Sequence, residues 1–423
     1  MSRSDGKVTN GPSIDVDIAS RRFKANPYPF FARLRVEAPV CRMPTRDKRG
    51  GWLLTRYDDA VAALKDERFV KDRRTALTPA QTARQPWIPA MFRPLERNML
   101  DVDAPDHTRL RGLVHKAFTP RLVEQMRGRV QALCDRLLDR ASGRARLDLV
   151  RAYAQPLPTT VIAQMLGVPA ADRRLFQRWS QALVAAGSSR WGVLLAIPHV
   201  WLFLRYVRKL IRARRALPQD DLVSALVQAE EAGQQLSEDE LVAMVVLLLI
   251  AGHETTVNLI GNGTLALLQH PEQLQKLRQD PGLIGPAVEE LLRFTSPVET
   301  ATERYAREDV PLAGVTVPRG GLVLAAIASA NREERQFADP DRLDVTRVPN
   351  RHLAIGLGAH YCLGAALARM EGQIALATLL RRAPGLRLAV EPRALRWRPG
   401  LVLRGLMALP VAFGRPGPTG VSQ

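Results

Sequence analysis

Hydrophobic residues recur at intervals of three and four over most of the chain, the spacing that places them on one face of an α-helix. The clearest helical segments are Asp58–Lys65, His107–Phe118, Leu122–Ala141, Tyr153–Leu166, Asp221–Glu231, Glu238–Gln269, Leu283–Phe294 and Leu363–Arg382. Strand-like segments are short and flanked by Gly or Pro: Trp52–Thr55, Gly314–Val317, Leu322–Ala325 and Leu406–Val411. The pattern predicts a mainly α fold with a minor β region near both ends.

No Gly/Ser linker, low-complexity tract or repeat divides the 423 residues, so we expect a single large domain over residues 26–413. Residues 1–25 are expected to form a poorly ordered N-terminal extension, and residues 414–423 a C-terminal tail. Residues 77–98 contain four prolines and little periodicity. They predict a long irregular loop, and loops of that length in a compact domain are usually functional.

Polar residues interrupt the longest apolar helix at Ala251–Thr256. A glycine inside a helix costs about 1 kcal/mol relative to alanine, and a buried carboxylate costs more unless it is satisfied. Such departures from local rules point to a functional site. Gly252 would leave room for a bound group, Thr255 can donate to the carbonyl of the preceding turn, and Glu254 can relay protons from solvent. His253 is interpreted as a hydrogen-bonded helper, and the alternative for the whole segment is a polar break on a surface helix.

Three glycines surround one cysteine, Cys362, immediately before the helix that begins at Leu363. Glycine permits positive φ angles and lets the backbone approach a flat, bulky group. Backbone N–H groups at the start of a helix stabilise a thiolate, and a thiolate on haem iron favours O–O cleavage. The alternative is a buried structural cysteine beside a glycine-rich turn.

The segment Ile355-Gly-Leu-Gly-Ala-His-Tyr-Cys-Leu-Gly364, followed by Ala368-Arg-Met-Glu371, resembles the cysteine loop of the cytochrome P-450 family. The resemblance extends from about Asn26 to Val411. It implies the family's triangular helical prism, with haem b between the Glu238–Gln269 helix and the cysteine loop, and Cys362 as the iron ligand. Ile355 departs from the family, which usually has Phe there; we expect this to tune the iron without abolishing ligation.

The same resemblance assigns further residues around the haem. His107 and Arg111, four residues apart on one helix face, match propionate ligands of the family, as do Arg304 and His360. The other positions that match haem contacts are Ala251, Gly252, Gly356 and Gly364. Glu254 and Thr255 match the acid–alcohol pair that supplies protons during oxygen activation.

Glu290 and Arg293 lie three residues apart, which places them on one helix face. On an exposed helix such a pair contributes little, but it matches the family's buried Glu-x-x-Arg pair, which braces the cysteine loop with a second arginine. The sequence leaves open whether Arg342 or Arg347 completes that triad.

The family's substrate-facing segments correspond to the 77–98 loop, the stretch around 175–205 and three short segments. Candidate pocket residues within the short segments are Val246, Leu249, Val298, Ala301, Leu401 and Val402. These regions carry few charges, so we expect an apolar and fairly large small-molecule substrate.

The net charge of +19 comes from basic residues scattered along the chain. No zinc-finger, basic-zipper or aromatic RNA-binding pattern accompanies them, so we expect no nucleic acid as partner and favour docking of an acidic protein.

The apolar stretches 241–252 and 191–204 are shorter than the roughly 20 residues of a membrane span. The second runs into a basic segment, which indicates either an interfacial helix or, as we favour, a core-facing helix with a basic outer face. Three cysteines and the absence of a signal peptide predict a cytoplasmic protein.

The resemblance implies a monooxygenase that inserts one atom of O2 into a C–H or C=C bond. No flavin or nicotinamide fingerprint is present, so NAD(P)H would act indirectly, through a ferredoxin or flavodoxin with its reductase. We expect a monomer. A peroxygenase driven by H2O2, a rearrangement enzyme of the same fold and a non-enzymatic haem sensor are the alternatives.

Overall fold

The computed structural model describes residues 11–413, apart from 45–49, 84–94, 96, 142, 174, 177, 180–189 and 232. Helices form most of the described chain, as the apolar spacing predicts. They are α1 (Arg21–Ala25), α2 (Tyr28–Glu37), α3 (Tyr57–Lys65), α4 (Arg73–Ala76), α5 (Pro79–Thr82), α6 (Asp106–Ala117), α7 (Pro120–Ala141), α8 (Pro156–Met165), α9 (Arg190–Ala216), α10 (Leu222–Gln228), α11 (Glu238–Gln269), α12 (Pro271–Gln279), α13 (Ile284–Thr295), α14 (Ile327–Ala330) and α15 (Ala365–Arg382).

The strands are β1 (Val40–Met43), β2 (Gly51–Leu54), β3 (Phe69–Val70), β4 (Arg146–Asp148), β5 (Glu230–Glu231), β6 (Gln234–Gln235), β7 (Arg304–Ala306), β8 (Val310–Leu312), β9 (Val315–Val317), β10 (Leu322–Ala325), β11 (Leu386–Leu388) and β12 (Pro410–Phe413). The largest sheet has the order β1-β2-β10-β7-β3, and β2 and β10 are its parallel pair. A second sheet, β11-β12-β4, joins the middle of the chain to its C-terminal part.

The central element is α11, which packs against α8, α9, α13 and α15. Its start is the predicted capping box: the Ser237 hydroxyl accepts from the Glu240 N–H, and the Glu240 carboxylate accepts from the Ser237 N–H. Among the described helices, α11 alone is long and apolar enough to cross a membrane, but 72% of its most apolar window is buried inside the protein. Its apolar character therefore matches its place in the core.

Two predicted helices end differently in the structure. The Tyr153–Leu166 segment is divided into a π-helical turn, Val150–Ala154, and α8, because Pro156 has no N–H to continue a helix from the preceding turn. The Asp221–Glu231 segment stops being helical at Gln228, and its last residues form the β5–β6 hairpin. The φ of +75° at Gly233 makes this turn.

The predicted strand Leu406–Val411 is only partly a strand. Leu406 forms an isolated bridge with Trp397, whereas β12 begins at Pro410. Between them the backbone changes partners, since the Leu409 N–H donates to the Asp148 carboxylate. Of the irregular loop predicted at 77–98, residues 79–82 form the short helix α5, and 84–94 lie outside the described residues.

Residues 11–25, expected to be a poorly ordered extension, are packed onto the domain. The Ile14 N–H donates to the Arg42 carbonyl at 2.8 Å, and Ile18 and Phe23 are buried. Lys24 Nζ lies 2.8 Å from Glu299 Oε1, and both side chains are fully buried. These contacts correct the expected boundary at residue 26; residues 1–10 and 414–423 lie outside the described residues.

The apolar stretch that runs into a basic segment forms α9. Phe203, Val207 and Ile211, four residues apart, are fully buried, while Arg205 and Arg212 lie on the exposed side. The interpretation as a core-facing helix with a basic outer face is therefore the one that the structure supports.

Glu371 on α15 is completely buried, and within the described structure neither of its carboxylate oxygens has a hydrogen-bond partner. Burial raises the pKa of this carboxyl from 4.5 to about 8. The folded protein therefore keeps a proton that the unfolded chain releases at lower pH.

Because the folded-state pKa of Glu371 is raised, its contribution to stability is complete below pH 4.5 and is lost as the pH rises towards 8. Across that window the free energy of unfolding should fall by up to about 1.4 kcal/mol per pH unit from this group. Glu371→Gln should remove this part of the slope. Denaturant unfolding of the holoenzyme at several pH values measures the effect, with exposed Glu391→Gln as control. Equal slopes in wild type and Glu371→Gln would contradict the prediction.

Candidate functional site: the cysteine loop and its cavity

The cysteine loop turns sharply immediately before α15. Gly356 and Gly358 have φ angles of +76° and +74°, a region that favours glycine. A Cβ on Gly358 would also lie 2.8 Å from the Leu64 carbonyl oxygen of α3. Gly364 differs, since its φ is −83° and an added Cβ would meet nothing within 4 Å. Gly364 instead borders an open cavity, so close approach of a bound group, not backbone conformation, explains a glycine there.

Cys362 faces that cavity from the loop. Its N–H donates to the Ile355 carbonyl at 3.0 Å, which closes the loop. Surrounding protein atoms raise the pKa of its thiol, whereas the Gly364 N–H, Arg111 and Arg369 act in the opposite direction. A cation held against the sulfur would favour the thiolate further, which is the environment expected for a metal-ligating cysteine.

The cavity lies between the cysteine loop and α11. The space between the two walls, with the open solvent at its mouth included, is about 1590 Å³. Ala251, Gly252 and Thr255 line it on the helix side and Cys362 on the loop side. The two opposed walls fit a bulky planar cofactor held between them, with room for a second molecule on the helix side.

In the polar interruption of α11, Thr255 has the predicted local geometry, whereas Gly252 also has a packing role. Thr255 Oγ1 donates to the Ala251 carbonyl at 3.1 Å, the predicted bond to the preceding turn. A Cβ on Gly252 would lie 3.3 Å from Ile162 Cδ1. Gly252 thus borders the cavity, but it also allows α8 to pack closely against α11.

Glu254 points away from the cavity into a buried polar contact. Its carboxylate accepts from Arg398 Nη1 at 3.0 Å and lies 3.5 Å from His253 Nε2. Although burial opposes it, bonding to His253 and the charge of Arg398 lower the pKa of Glu254. The Leu249 carbonyl lies 2.7 Å from His253 Nδ1, so His253 is a hydrogen-bonded helper, as predicted. Arg398 is about one-third exposed and so connects the carboxylate to solvent.

Two imidazoles and several cationic side chains gather at one edge of the cavity. The rings of His107 and His360 lie 4.2 Å apart, and Arg111 and Arg304 line the same edge. Burial, followed by the neighbouring His107 and Arg304, lowers the pKa of His360 to about 2. Lys71 belongs to the same group, since its charge also acts on His360. The charges of Arg111, Arg304 and Lys71 at this edge favour a bound anion, and Asp103 offsets part of them.

Two buried nitrogens of this cluster are unpaired within the described structure, His107 Nε2 and Arg304 Nε. Buried donors without partners are rare in proteins. A group carrying two carboxylates would satisfy both the open hydrogen bonds and the charge. The residues present therefore fit haem: the cationic edge would hold its propionates, and Cys362 would hold its iron.

The Glu290–Arg293 pair lies behind the cysteine loop and is fully buried. The two side chains form a bidentate contact, with distances of 2.7 and 2.8 Å. Arg347 Nε lies 3.2 Å from Glu290 Oε2, whereas Arg342 contributes only its carbonyl oxygen, 3.3 Å from Arg293 Nη2. Arg347 therefore completes the triad that the sequence left open.

Only part of the predicted substrate pocket lines the cavity. Val298 and Ala301 do so, but Val246 and Leu249 are buried in the core, and Leu247 and Leu248 take their place. The reason is helical phase, because the cavity face of α11 continues through residues 251, 252 and 255. The carbonyl of Val402 accepts from the Glu299 and Thr300 N–H groups, and that of Leu401 from Thr300 Oγ1. These two residues therefore support the wall from behind.

Sequence reasoning missed Arg398 and Lys71. Arg398 is 144 residues from its carboxylate partner, so no local spacing signals it. Lys71 Nζ donates to Thr302 Oγ1 at 2.8 Å and to the Glu303 carbonyl at 2.6 Å. The signal available in the sequence was a lysine that directly follows the apolar pair Phe69-Val70.

Comparison with known proteins shows the family to which the chain belongs. The cytochrome P-450 family model matches residues 53–281 and 283–383. PksS, the polyketide biosynthesis cytochrome P-450 of Bacillus subtilis (strain 168), is 44% identical over 400 residues, 93% of this chain and 98% of the relative. Its solved structure covers 94% of this chain and 99% of its own, with a TM-score of 0.88 and 43% identity.

Two further proteins extend the comparison. The monooxygenase PikC of Streptomyces venezuelae is 44% identical over 97% of this chain and 96% of its own length. A myxobacterial member, CYP267B1, solved with myristic acid, has a TM-score of 0.88 and 44% identity over 94% of this chain and 99% of its own. The chain therefore belongs to the cytochrome P-450 family and has its fold. It is a monooxygenase of the bacterial type, which uses haem and O2.

The triad leads to a paired test. Arg347→Ala removes one partner of a buried carboxylate, so the apoprotein should lose roughly 3 kcal/mol or more of stability and retain haem poorly. Arg342→Ala removes an exposed side chain and leaves its carbonyl in place, so its effect should be within about 0.5 kcal/mol. Denaturant unfolding and the haem-to-protein absorbance ratio measure both. Similar losses in the two variants would show that the arginines had been assigned wrongly.

Proposed function

We propose that this enzyme binds haem b and inserts one atom of O2 into a C–H or C=C bond of a fairly large apolar molecule. It acts as a cytoplasmic monomer supplied with electrons by a separate ferredoxin or flavodoxin. The observation that carries the proposal is the position of Cys362 and Thr255 on opposite walls of one cavity, with the cationic cluster at its edge.

Cys362 would hold the iron, while His107, Arg111, Arg304 and His360 would bind the propionates. Haem with a thiolate ligand supplies O2 activation and O–O cleavage. Ala251, Gly252, Gly356 and Gly364 leave its two faces accessible. The Glu290 triad keeps the loop, and with it the sulfur, in a fixed position.

Protons would reach Glu254 from solvent beside Arg398, whose guanidinium stays protonated and holds the carboxylate in place. The Glu254 carboxylate, held by Arg398 and His253, is ionised and can accept a proton from solvent. Thr255 lies next to it and faces the cavity, so its hydroxyl can pass a proton to the reacting oxygen.

The substrate side of the cavity supports an apolar guest. Its walls include Met99, Leu100, Leu247, Leu248 and Val298. The relatives point the same way, since PksS is named for polyketide biosynthesis and CYP267B1 was solved with myristic acid. We therefore propose a polyketide or macrolide, a terpenoid, a steroid or a fatty acid as substrate class.

The class of electron donor is proposed from the net charge of the chain. The net charge of +19 favours an acidic partner, and complementary charge steers encounters between proteins. Ferredoxins and flavodoxins are usually acidic. NAD(P)H would reduce them through a reductase.

Loss of the thiolate gives a direct test of the iron ligand. Cys362→Ser should abolish the red-shifted Soret band of the reduced carbon-monoxide complex, because that band requires a thiolate on the iron. Cys134→Ser is the matched control, since Cys134 is buried on α7 away from the cavity. Persistence of the band in Cys362→Ser would reject the ligand assignment.

Turnover separates the proposed reaction from its alternatives. Substrates are first chosen from an apolar library by the Soret shift that follows loss of water from the iron. Product containing labelled oxygen should form with NADPH, reductase, ferredoxin and labelled O2, and not with H2O2 alone. Product with peroxide only would identify a peroxygenase, product without labelled oxygen a rearrangement enzyme, and binding without any product a sensor. Each of these three results would overturn the proposal.

A further inference from the structure

A second cavity lies on the opposite side of α8 from the haem cavity. Ile162 of α8 lines the haem cavity, whereas Thr159, Thr160 and Ala163 line the second one. This second cavity is formed by α7, α8 and the chain that follows α8, and encloses about 870 Å³ counted to its open mouth. The reaction described above uses none of its lining residues.

Three arginines converge on this cavity, Arg136 and Arg140 from α7 and Arg173 from the segment after α8. The other lining side chains are neutral: Leu133, Leu137, Pro156, Thr159, Thr160, Ala163 and Gln164. Among the described lining residues there is thus no carboxylate to balance three positive charges. Like charges one helical turn apart, as in Arg136 and Arg140, are mildly destabilising unless they are compensated.

The acidic residues next in sequence to these arginines are bound elsewhere. Asp135 lies 3.1 Å and Asp139 2.5 Å from Arg382 of α15. The carboxylates of Asp135 and Asp139 therefore form ion pairs with Arg382 and not with the neighbouring Arg136 and Arg140. In the part of the chain that the structure describes, neither of these two arginines lies within ion-pair distance of a carboxylate.

Neutral donors complete the cavity. Arg173 Nε donates to the Val168 carbonyl at 3.3 Å, which fixes the side chain and leaves its terminal nitrogens free to bind. Thr160 and Gln164 offer a hydroxyl and an amide. The Thr159 hydroxyl already donates to the Gln155 carbonyl at 2.7 Å.

We propose that this cavity binds a small phosphate-bearing anion, a phosphate monoester or a pyrophosphate. The planar guanidinium fork matches phosphate oxygens in pairs, and an anion of two or more charges is needed to balance three arginines. No aromatic side chain lines the cavity within the described residues, so recognition is directed at the phosphate and not at a stacked base. Although Arg136 and Arg140 are exposed, the three arginines converge on one concave site and do not form an extended basic track, which fits a small ligand better than a nucleic acid.

The test measures binding to the holoenzyme by isothermal titration calorimetry, with pyrophosphate as probe in about 0.15 M NaCl, where long-range charge effects are screened. We expect saturable binding of one pyrophosphate per chain. Arg136→Gln combined with Arg140→Gln and Arg173→Gln should weaken it by at least about tenfold, since each charge-assisted contact is strong.

The matched control removes the same charge elsewhere, by Arg387→Gln, Arg393→Gln and Arg396→Gln at exposed positions. It should bind pyrophosphate as wild type does. Thr160→Glu provides a second variant, because a carboxylate placed in the cavity should abolish binding while the arginines remain. An unchanged Soret band and circular dichroism spectrum show that each variant is folded.

Absence of binding by wild type would overturn the proposal. So would equal weakening in the cavity variant and the control, which would indicate attraction by net charge alone. Because the readout is binding of pyrophosphate and not turnover, the result is independent of the proposed monooxygenase reaction.

Discussion

One buried carboxylate, Glu290, binds donors from several segments of this enzyme, and the rest of the structure depends on it. It accepts from Arg293, from Arg347, from the Asp344 N–H at 2.9 Å and from Asn350 Nδ2 at 3.0 Å. Arg293 in turn donates to the carbonyls of Asn331 and Pro340. A charge buried this deeply is tolerated only when every oxygen is satisfied. The chain that leads into the cysteine loop must therefore adopt one conformation, and the position of the sulfur follows from it.

The opposite wall of the cavity is α11, an apolar helix that must accommodate polar residues. Helix α11 is apolar and buried along most of its length, and yet it contains a glycine, a carboxylate and a hydroxyl within about one turn, at Gly252, Glu254 and Thr255. These residues are accommodated because each has a partner: Arg398 for Glu254, the Ala251 carbonyl for Thr255, and Ile162 for the space above Gly252. The cationic edge differs in having open donors beside the charges of Lys71, Arg111 and Arg304. This is where a dianionic cofactor would supply what the chain lacks.

Much of this could be predicted from the sequence because the signals are local. Helical spacing gave α11 its bounds, Glu238–Gln269, and the capping box at Ser237 and Glu240 fixed its start. Glycines at 356 and 358 indicated a turn with positive φ, and both have it. His107 and Arg111 are four residues apart, so a helix places them at one edge of the cavity whatever the rest of the fold does. The cysteine loop was recognisable for the same reason, since its ten residues are contiguous.

Contacts between distant segments were decided only by the tertiary structure. Arg342 and Arg347 are equivalent as local sequence, and the turn that follows Pro340 determines which side chain reaches Glu290. The partner of Glu254 is 144 residues away, and that of Lys24 is 275 residues away, so no periodicity reports either. Apolar spacing located α11, but it did not show which side of the helix faces the cavity. The reason is that nearly every residue in the first half of the helix is apolar. The sequence by itself thus determined the elements and the chemistry they carry; packing determined which side chains meet, because a contact depends on the whole path of the chain between its two members.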